Sequence, residues 1–119
     1  MKKILIIEDQ KNLVKLLESR LKAAGYSVVT ALDGQEGMEK VPSVKPDLII
    51  TDLAMPGMPG SSIVRILKGS DEYKHIPIIM LSAFVNENMK QSVEIPADVY
   101  IRKPYDSELL LKKIQELLL

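Results

Sequence analysis

The segment Leu48–Gly57 reads LIITDLAMPG, an apolar run that ends on one carboxylate and then breaks into a loop rich in proline and glycine. Such a run is typical of a strand buried on both faces, as in a parallel sheet covered by helices. Asp52 closes the strand, where it loses hydration unless it faces a crevice, a cation or a hydrogen-bond donor. In open α/β sheets the ligand crevice lies just beyond the carboxyl ends of the strands. The segment therefore predicts Asp52 at such a crevice, with a simple turn residue as the alternative.

Apolar runs of strand length alternate with helical patterns along the whole chain. Besides the segment above, the predicted strands cover residues 4–7, 26–31, 76–82 and 99–102. A helical pattern follows each strand and is weakest over 84–93, where poor helix formers are frequent. This alternation predicts an α/β fold, a three-layer, doubly wound, five-stranded parallel sheet with right-handed crossovers. The length of 119 residues suits a single domain over 1–119.

The predicted helices begin and end at residues with known capping preferences. The predicted caps at the beginnings are Asp33, in a pattern that resembles a capping box with Glu36, then Ser61 or Ser62, and finally Asp106 or Ser107. The predicted ends are Gly25, then Pro42 or Pro46, and then Gly69. The apolar positions expected on the third and last helices are Ile63, Ile66, Leu67, Leu110, Ile114, Leu117 and Leu118.

The composition excludes several classes of protein. Sixteen basic residues balance sixteen acidic ones, so no general field attracts nucleic acid or an anionic membrane. The chain has no cysteine, which excludes disulfides and thiolate metal sites. The apolar run after Met1 is too short for a signal peptide, and no segment approaches membrane-spanning length. We therefore expect a cytoplasmic protein that neither inserts into membranes nor binds nucleic acid directly.

Polar residues follow four of the predicted strands, at the edge where parallel strands end together. These residues are Glu8, Asp9, Asp52, Ser82 and Lys103. Each alone has a simpler explanation as a helix cap, an acid favoured by the helix dipole or a solvated cation. Together, three close carboxylates repel one another unless they recruit cations, and an all-oxygen set suits Mg²⁺. A lysine and a hydroxyl beside them would stabilise a phosphoryl group in transfer, with Asp52 as the nucleophile.

The motifs that carry these residues resemble the receiver domain of two-component response regulators, in the form of a stand-alone receiver like those of chemotaxis. The matching motifs are Glu8-Asp9, Asp52–Gly57, Ser82-Ala83 and Tyr100–Pro104, in order along nearly the whole chain. The resemblance implies the flavodoxin-like strand order 2-1-3-4-5. It also implies a phosphorylation-dependent signalling switch, which is not an enzyme beyond catalysing its own phosphorylation and dephosphorylation.

The resemblance assigns a role to each matching residue. Asp52 would accept a phosphoryl group from the phosphohistidine of a sensor histidine kinase or a phosphotransfer protein in a phosphorelay. Asp9, Asp52 and the backbone carbonyl of Ala54 would bind Mg²⁺, and Glu8 would act through a metal-bound water. Lys103 would pair with the phosphoryl oxygens. The Lys103-Pro104 pair would form a cis peptide bond, as occurs almost only before proline.

The resemblance also implies a switch and an output. Ser82 would move to bond the phosphoryl group, and Tyr100 would swing inward to fill the space. A partly buried aromatic residue on a strand is the simpler explanation of Tyr100. The output would be contact with an unidentified downstream protein, or a homodimer, through the face of the fourth helix, fifth strand and fifth helix. No output domain follows the last helix, which favours a receiver that stands alone or was excised from a longer protein.

Three positions depart from the family pattern. Ala54 and Phe84 occupy positions that tune attack of water on the phosphoryl group, and neither side chain can orient a water molecule. We therefore expect no assisted dephosphorylation, with Phe84 partly shielding the site. Pro96 stands where glycine is frequent before Ala97-Asp98, and we expect it to stiffen the loop that enters the fifth strand. His75, the only histidine, is expected at the surface.

Three other functions are compatible with parts of the pattern. A phosphohydrolase of the haloacid dehalogenase type uses a strand-end aspartate, a lysine and Mg²⁺, but needs a second acid where this chain has Ala54. A flavin carrier needs a phosphate loop after the first strand, where Glu8-Asp9 would repel a phosphate. A binding module that works without phosphorylation, on the same fold, is opposed by the intact acids and by Lys103.

Overall fold

A parallel sheet of five strands forms the centre of the molecule in this computed structural model, which describes residues 1–83 and 96–119. The strand order β2-β1-β3-β4-β5 confirms the predicted doubly wound topology. All four strand pairs are parallel, so all five carboxyl ends lie along one edge. The strands are β1 (Lys3–Ile7), β2 (Ser27–Ala31), β3 (Leu48–Asp52), β4 (Ile78–Ser82) and β5 (Val99–Arg102).

Four described helices cover the two faces of the sheet. They are α1 (Lys11–Ala23), α2 (Gly34–Val44), α3 (Gly60–Lys68) and the C-terminal helix (Ser107–Leu117). The helix predicted over 84–93, which includes Phe84, lies outside the described residues. None of the helices in the described ranges is long and apolar enough to cross a bilayer.

Two separate cores follow from the alternation of side chains along the strands. One core joins the sheet to α2 and α3, and the other joins it to α1 and the C-terminal helix. The strands β3 and β4 are buried at every position, which is why their sequences read as continuous apolar runs. The principal buried members are Leu5, Ile7, Ile49, Ile78, Met80, Val41 and Ile63 in the first core, and Ile4, Ile6, Leu48, Ile50, Leu17, Leu21 and Ile114 in the second.

Most predicted helix boundaries are confirmed. The Asp33 carboxylate accepts a hydrogen bond from the Glu36 N–H at 2.7 Å, and the Asp106 carboxylate accepts one from the Glu108 N–H at 3.0 Å. Gly25 follows α1 with a φ of 98°, a conformation that glycine adopts without strain. Gly69 is the C-cap of α3, as predicted.

One boundary prediction is wrong, and another is confirmed for only one of its two alternatives. Pro42 does not end α2, since the helix continues to Val44, but the alternative Pro46 directly follows the C-cap Lys45, which adopts the left-handed conformation with a φ of 52°. Neither serine caps α3, since the helix already begins at Gly60 and its N-cap is Pro59, without a side-chain cap. The serine caps were wrong because Gly60 packs against the Asp52 backbone, which sets the start of α3 one residue before Ser61.

The apolar face of α3 also differs slightly from the prediction. Ile63 and Leu67 are buried, as expected, but Ile66 is 50% exposed and Val64 takes its place in the core. The buried residues of α3 are Gly60, Ile63, Val64 and Leu67, whose spacing of i, i+3, i+4 and i+7 places them on one face of the helix and leaves Ile66 off it.

Candidate functional site

The ends of β1, β3, β4 and β5 bring the predicted polar residues to one edge of the sheet. The backbone fixes each end: the Glu8 N–H donates to the Ala31 carbonyl at 3.0 Å, and the Lys103 N–H donates to the Ser82 carbonyl at 2.9 Å. The ladder between strands thus extends one residue beyond β1 and β5. Glu8 and Lys103 are held at positions from which their side chains reach the end of β3.

Lys103 joins two buried carboxylates at the centre of this edge. Its ammonium nitrogen Nζ lies 2.8 Å from Glu8 Oε1 and 3.0 Å from Asp52 Oδ2. Glu8 is 1% exposed and Asp52 is 7% exposed, so both carboxyl groups are largely desolvated. The Lys103–Pro104 peptide bond that follows is cis. One cation therefore binds residues that are 95 and 51 positions away in the sequence.

Asp9 completes a cluster of three acids at the site. One carboxylate oxygen from each of Glu8, Asp9 and Asp52 lies within 4.8 Å of the others, and Asp9 is the most accessible of the three. Carboxylate oxygens are the ligands that Mg²⁺ takes in proteins, with its remaining positions filled by water. In the part of the chain that the structure describes, the three acids lie beside one lysine, which leaves negative charge that a divalent ion would neutralise. The donor set therefore fits Mg²⁺.

Burial and neighbouring charges shift the pKa of two groups at the site. Loss of hydration raises the pKa of Glu8 to about 7, against the opposing effect of its bond to Lys103, while Asp9 and Asp52 raise it further. For Lys103, burial lowers the pKa, but the bonds to Glu8 and Asp52 outweigh burial and raise it overall. The lysine is consequently cationic at neutral pH, whereas the metal-free Glu8 carboxyl is close to half protonated.

The start of α3 rests directly on the backbone of Asp52. A Cβ atom added to Gly60 would overlap the Asp52 carbonyl oxygen, so only glycine fits there. The Gly60 N–H also donates to the Leu53 carbonyl at 2.9 Å. The loop between them includes the exposed Ala54 and the buried Met55. The close approach explains why the helix begins at the glycine of the Pro59-Gly60 pair.

The two predicted switch residues lie at different heights on neighbouring strands. Ser82 is 2% exposed at the end of β4 and pairs in register with Arg102. Tyr100 pairs with Met80, and its ring packs against the core on the α2–α3 side. The Tyr100 hydroxyl accepts a hydrogen bond from the Ala97 N–H at 3.1 Å, at the opposite end of β5 from Ser82. Phe84 lies outside the described residues.

His75 lies away from this edge. It is exposed in the turn before β4 and lines a groove of about 260 Å³ with Pro42, Asp47 and Tyr73. That groove is at the amino ends of the strands, so His75 is not part of the acidic cluster.

One residue near the site was not predicted from the sequence. Tyr105 follows the Lys103-Pro104 pair, and its hydroxyl is buried without a hydrogen-bond partner among the described residues. A tyrosine two residues after a strand-end lysine was the available signal, but sequence alone does not reveal which way its ring turns.

The fold and this edge together define a class of protein: a flavodoxin-like α/β domain with an acidic, lysine-containing pocket at the carboxyl ends of its strands. Comparison with known proteins gives the family. The sequence matches the response regulator receiver domain over residues 4–115, and the chain belongs to that family. Receiver domains are signalling modules of two-component systems, and they bind Mg²⁺ at their acidic pocket.

Curated relatives include full-length response regulators. The chain is 40% identical over 119 residues to the response regulator ArlR of Staphylococcus aureus and covers 53% of it. It is 35% identical over 118 residues to the alkaline phosphatase synthesis transcriptional regulatory protein PhoP of Bacillus subtilis and covers 48% of it. These alignments use 99% and 98% of the chain, which therefore spans about half the length of either relative.

Similar solved structures are receivers of nearly the same length. The chemotaxis response regulator CheY4 of Vibrio cholerae superposes with a TM-score of 0.90 at 34% identity, with 99% of both chains covered. The response regulator TrrA of Thermotoga maritima, solved in complex with Mg²⁺ and BeF, gives a TM-score of 0.87 at 32% identity. That alignment covers 99% of this chain and 100% of TrrA.

Proposed function

We propose that this domain is a phosphorylation-dependent switch in which Asp52 accepts a phosphoryl group from a histidine kinase or a phosphotransfer protein. The observation that carries the proposal is the double contact of Lys103, which holds Glu8 and Asp52 together at the carboxyl edge of the sheet. A buried carboxylate with a cation at hydrogen-bond distance is an arrangement suited to receiving a group whose oxygens carry negative charge.

The transfer itself needs little from the protein beyond placement and charge. An Asp52 carboxylate oxygen attacks the phosphorus atom, the bond from phosphorus to the histidine nitrogen breaks, and the imidazole leaves with the electron pair. Lys103 donates hydrogen bonds to the phosphoryl oxygens as negative charge gathers on them. The Ser82 hydroxyl, at the end of the neighbouring strand β4, supplies a further donor.

Mg²⁺ would be held by Asp9, Asp52 and the Ala54 carbonyl, with Glu8 acting through a water molecule. When bound, the ion supplies positive charge that offsets repulsion between the carboxylates and the incoming phosphoryl oxygens. Asp9 is the most accessible of the three acids.

The signal would then leave the site through Ser82 and Tyr100. When Ser82 bonds the phosphoryl group, the inward Tyr100 conformer is favoured, and the surface around β5 and the C-terminal helix changes. A downstream protein or a second copy of this chain, in the cytoplasm, would bind one conformer better than the other. Ala54 gives no hydrogen bond to a water molecule, so the phosphoryl group is removed without help from that position.

The first test is phosphorylation by acetyl phosphate, read as a gain in intact mass. We expect the wild-type protein with Mg²⁺ to gain one phosphoryl group and Asp52→Asn to gain none, because the amide is not a nucleophile. A wild-type sample without divalent metal should react much more slowly.

The matched control is Asp71→Asn, the same chemical change at an aspartate whose side chain is 99% exposed in the turn before β4. It should be phosphorylated like the wild type. Equal mass gain in Asp52→Asn and Asp71→Asn would refute Asp52 as the acceptor. No gain in the folded, Mg²⁺-bound wild type would instead favour a binding module that works without phosphorylation.

A further inference from the structure

The Tyr105 hydroxyl is a buried polar atom with no hydrogen-bond partner within residues 1–83 and 96–119. The ring packs against the core on the side of α1 and the C-terminal helix. A phenol hydroxyl in this state costs stability, because it has given up hydrogen bonds to water and gained none in return. A phenylalanine would fill the same space without that cost. A role in another state of the site would account for the hydroxyl.

Tyr105 lies beside the ion pairs of the site. It shares a groove of about 430 Å³ with Lys103, Ala83 and the α1 residues Leu13 and Leu16. Burial raises the pKa of the Tyr105 phenol, and the charges of Lys103 and Glu8 act on it in opposite directions. The phenol is therefore a protonated donor at neutral pH, in the same groove as Lys103.

We propose that Tyr105 is a positioning residue whose hydroxyl donates to the Glu8 carboxylate when Lys103 turns to a phosphoryl group on Asp52. This inference rests on the proposed function, since it requires Asp52 to carry that group. In the unphosphorylated protein the Tyr105 hydroxyl has no acceptor among the described residues. In the phosphorylated protein it donates to the Glu8 oxygen that Lys103 has released.

The number of donors on Lys103 limits how many acceptors it can keep once a phosphoryl group is present. An ammonium group has three N–H donors, and two of them serve Glu8 Oε1 and Asp52 Oδ2. A phosphoryl group brings three strong acceptor oxygens, so an ammonium that bonds two of them must release one of its present partners. If Glu8 Oε1 is released, it loses its one protein donor among the described residues, because the Gln10 N–H binds the other oxygen, Oε2, at 3.3 Å. A donor for Oε1 removes that cost.

The test compares Tyr105→Phe with the wild type, using beryllium fluoride with Mg²⁺ as a mimic of the phosphoryl group. We expect the variant to bind beryllium fluoride about tenfold more weakly, as for the loss of one hydrogen bond to a charged acceptor. Its affinity for Mg²⁺ alone should be unchanged, and its free stability equal or higher, because the orphan hydroxyl is gone. Calorimetric titration gives both affinities. Tyr26→Phe is the matched control, since Tyr26 packs against the same core.

The outcomes separate this inference from the proposed function. If the wild type and Tyr105→Phe bind beryllium fluoride equally, the positioning role is overturned and the proposed function stands. A wild type that does not bind beryllium fluoride at all refutes both. Equal weakening of Mg²⁺ and beryllium fluoride in the variant also overturns the inference, because the hydroxyl would then act on the metal site itself.

A measurement on the wild type gives an independent test. With tyrosine rings labelled with ¹³C, the NMR signal of Tyr105 should shift when beryllium fluoride and Mg²⁺ are added together, and not with Mg²⁺ alone. A Tyr105 signal unmoved by the mimic would overturn the proposal.

Discussion

Glu8 is the residue whose charge depends most on its surroundings. Its carboxyl is enclosed at the edge of the sheet, and burial raises its pKa from 4.5 to about 7 although Lys103 lies at 2.8 Å. A carboxyl with a raised pKa binds its proton more tightly in the folded protein than in the unfolded chain. Ionisation of Glu8 therefore opposes folding when no metal is present.

Metal-free protein should consequently lose stability as the pH rises from about 5 to about 7.5. Between the unfolded pKa of 4.5 and the folded pKa of about 7, the folded state holds more protons than the unfolded state, so the free energy of unfolding falls with pH. The loss attributable to Glu8 is up to about 3 kcal/mol and levels off above the folded pKa. Urea unfolding in EDTA across this pH range, for the wild type and Glu8→Gln, measures the part of the loss in unfolding free energy that is due to Glu8.

Glu8→Gln should remove that part of the pH dependence, because the amide does not titrate. The difference in unfolding free energy between the two proteins is the informative quantity, since carboxyls that do not interact with Glu8 cancel. Parallel curves for the two proteins from pH 5 to 8 would contradict the assignment.

The sequence predicted which residues meet at the site, but not how their side chains are oriented. Asp52, Glu8 and Lys103 could be placed at one edge because strand ends meet there in any parallel sheet. The bond of Lys103 to both acids, and the inward turn of the Tyr105 hydroxyl, depend on side-chain rotation. A strand pattern with a period of two residues carries no information about rotation.

An ion pair joins the end of α3 to Asp98, the residue before β5, at the amino edge of the sheet. Lys68 Nζ lies 2.7 Å from Asp98 Oδ2, and it also donates to the Ile76 carbonyl at 2.9 Å. The same Asp98 oxygen accepts the Ile78 N–H at 2.7 Å. The end of a helix and the beginnings of two strands are therefore bound to one carboxylate.

Asp98→Ala should lower the free energy of unfolding by about 1–2 kcal/mol, mainly because the Ile78 N–H at the start of β4 loses its acceptor. The exposed share of the ion pair adds little. Urea unfolding at pH 7 measures the effect. The control is Asp71→Ala, which breaks an exposed pair with Lys74 at 3.2 Å and should change stability by less than about 0.5 kcal/mol. Similar losses in both variants would contradict a structural role for Asp98.

Helix boundaries show where elements could be predicted and where they could not. Asp33 and Asp106 were found because an N-cap depends on local hydrogen bonds within one turn. Pro42 was one of two predicted ends of α2, but the helix accommodates its ring. Whether it can do so depends on the backbone carbonyl four residues earlier. The start of α3 was set by the close approach of Gly60 to the Asp52 backbone, a contact with another element that local preference does not describe.

The site exists only when the whole chain is folded. Its acids follow β1 and β3, its lysine follows β5, and two separate cores hold these strands in register. The three-layer parallel sheet was predictable because apolar runs of this length, alternating with helical patterns, pack in few ways, whereas the strand order came from the resemblance to receiver domains. A ligand of the site must therefore stabilise the entire fold rather than one segment of it.

Mg²⁺ should raise the free energy of unfolding by about 2.7 kcal/mol at one hundred times its dissociation constant. The effect should follow the binding curve, because the unfolded chain has no site. Urea unfolding over a range of Mg²⁺ concentrations tests this. Asp9→Asn, which removes the most accessible of the three acids, should require much higher Mg²⁺ for the same gain. Equal stabilisation of both proteins at every concentration would exclude Asp9 as a ligand.

The contact between Gly60 and the Asp52 carbonyl has a mechanical consequence. Side chains normally separate a helix from a strand and deform when either one moves, but here backbone rests on backbone. A small displacement of the Asp52 peptide has no soft layer in which to dissipate. The displacement either shifts the first turn of α3 or is resisted by the helix. The end of β3 and the start of α3 therefore move together.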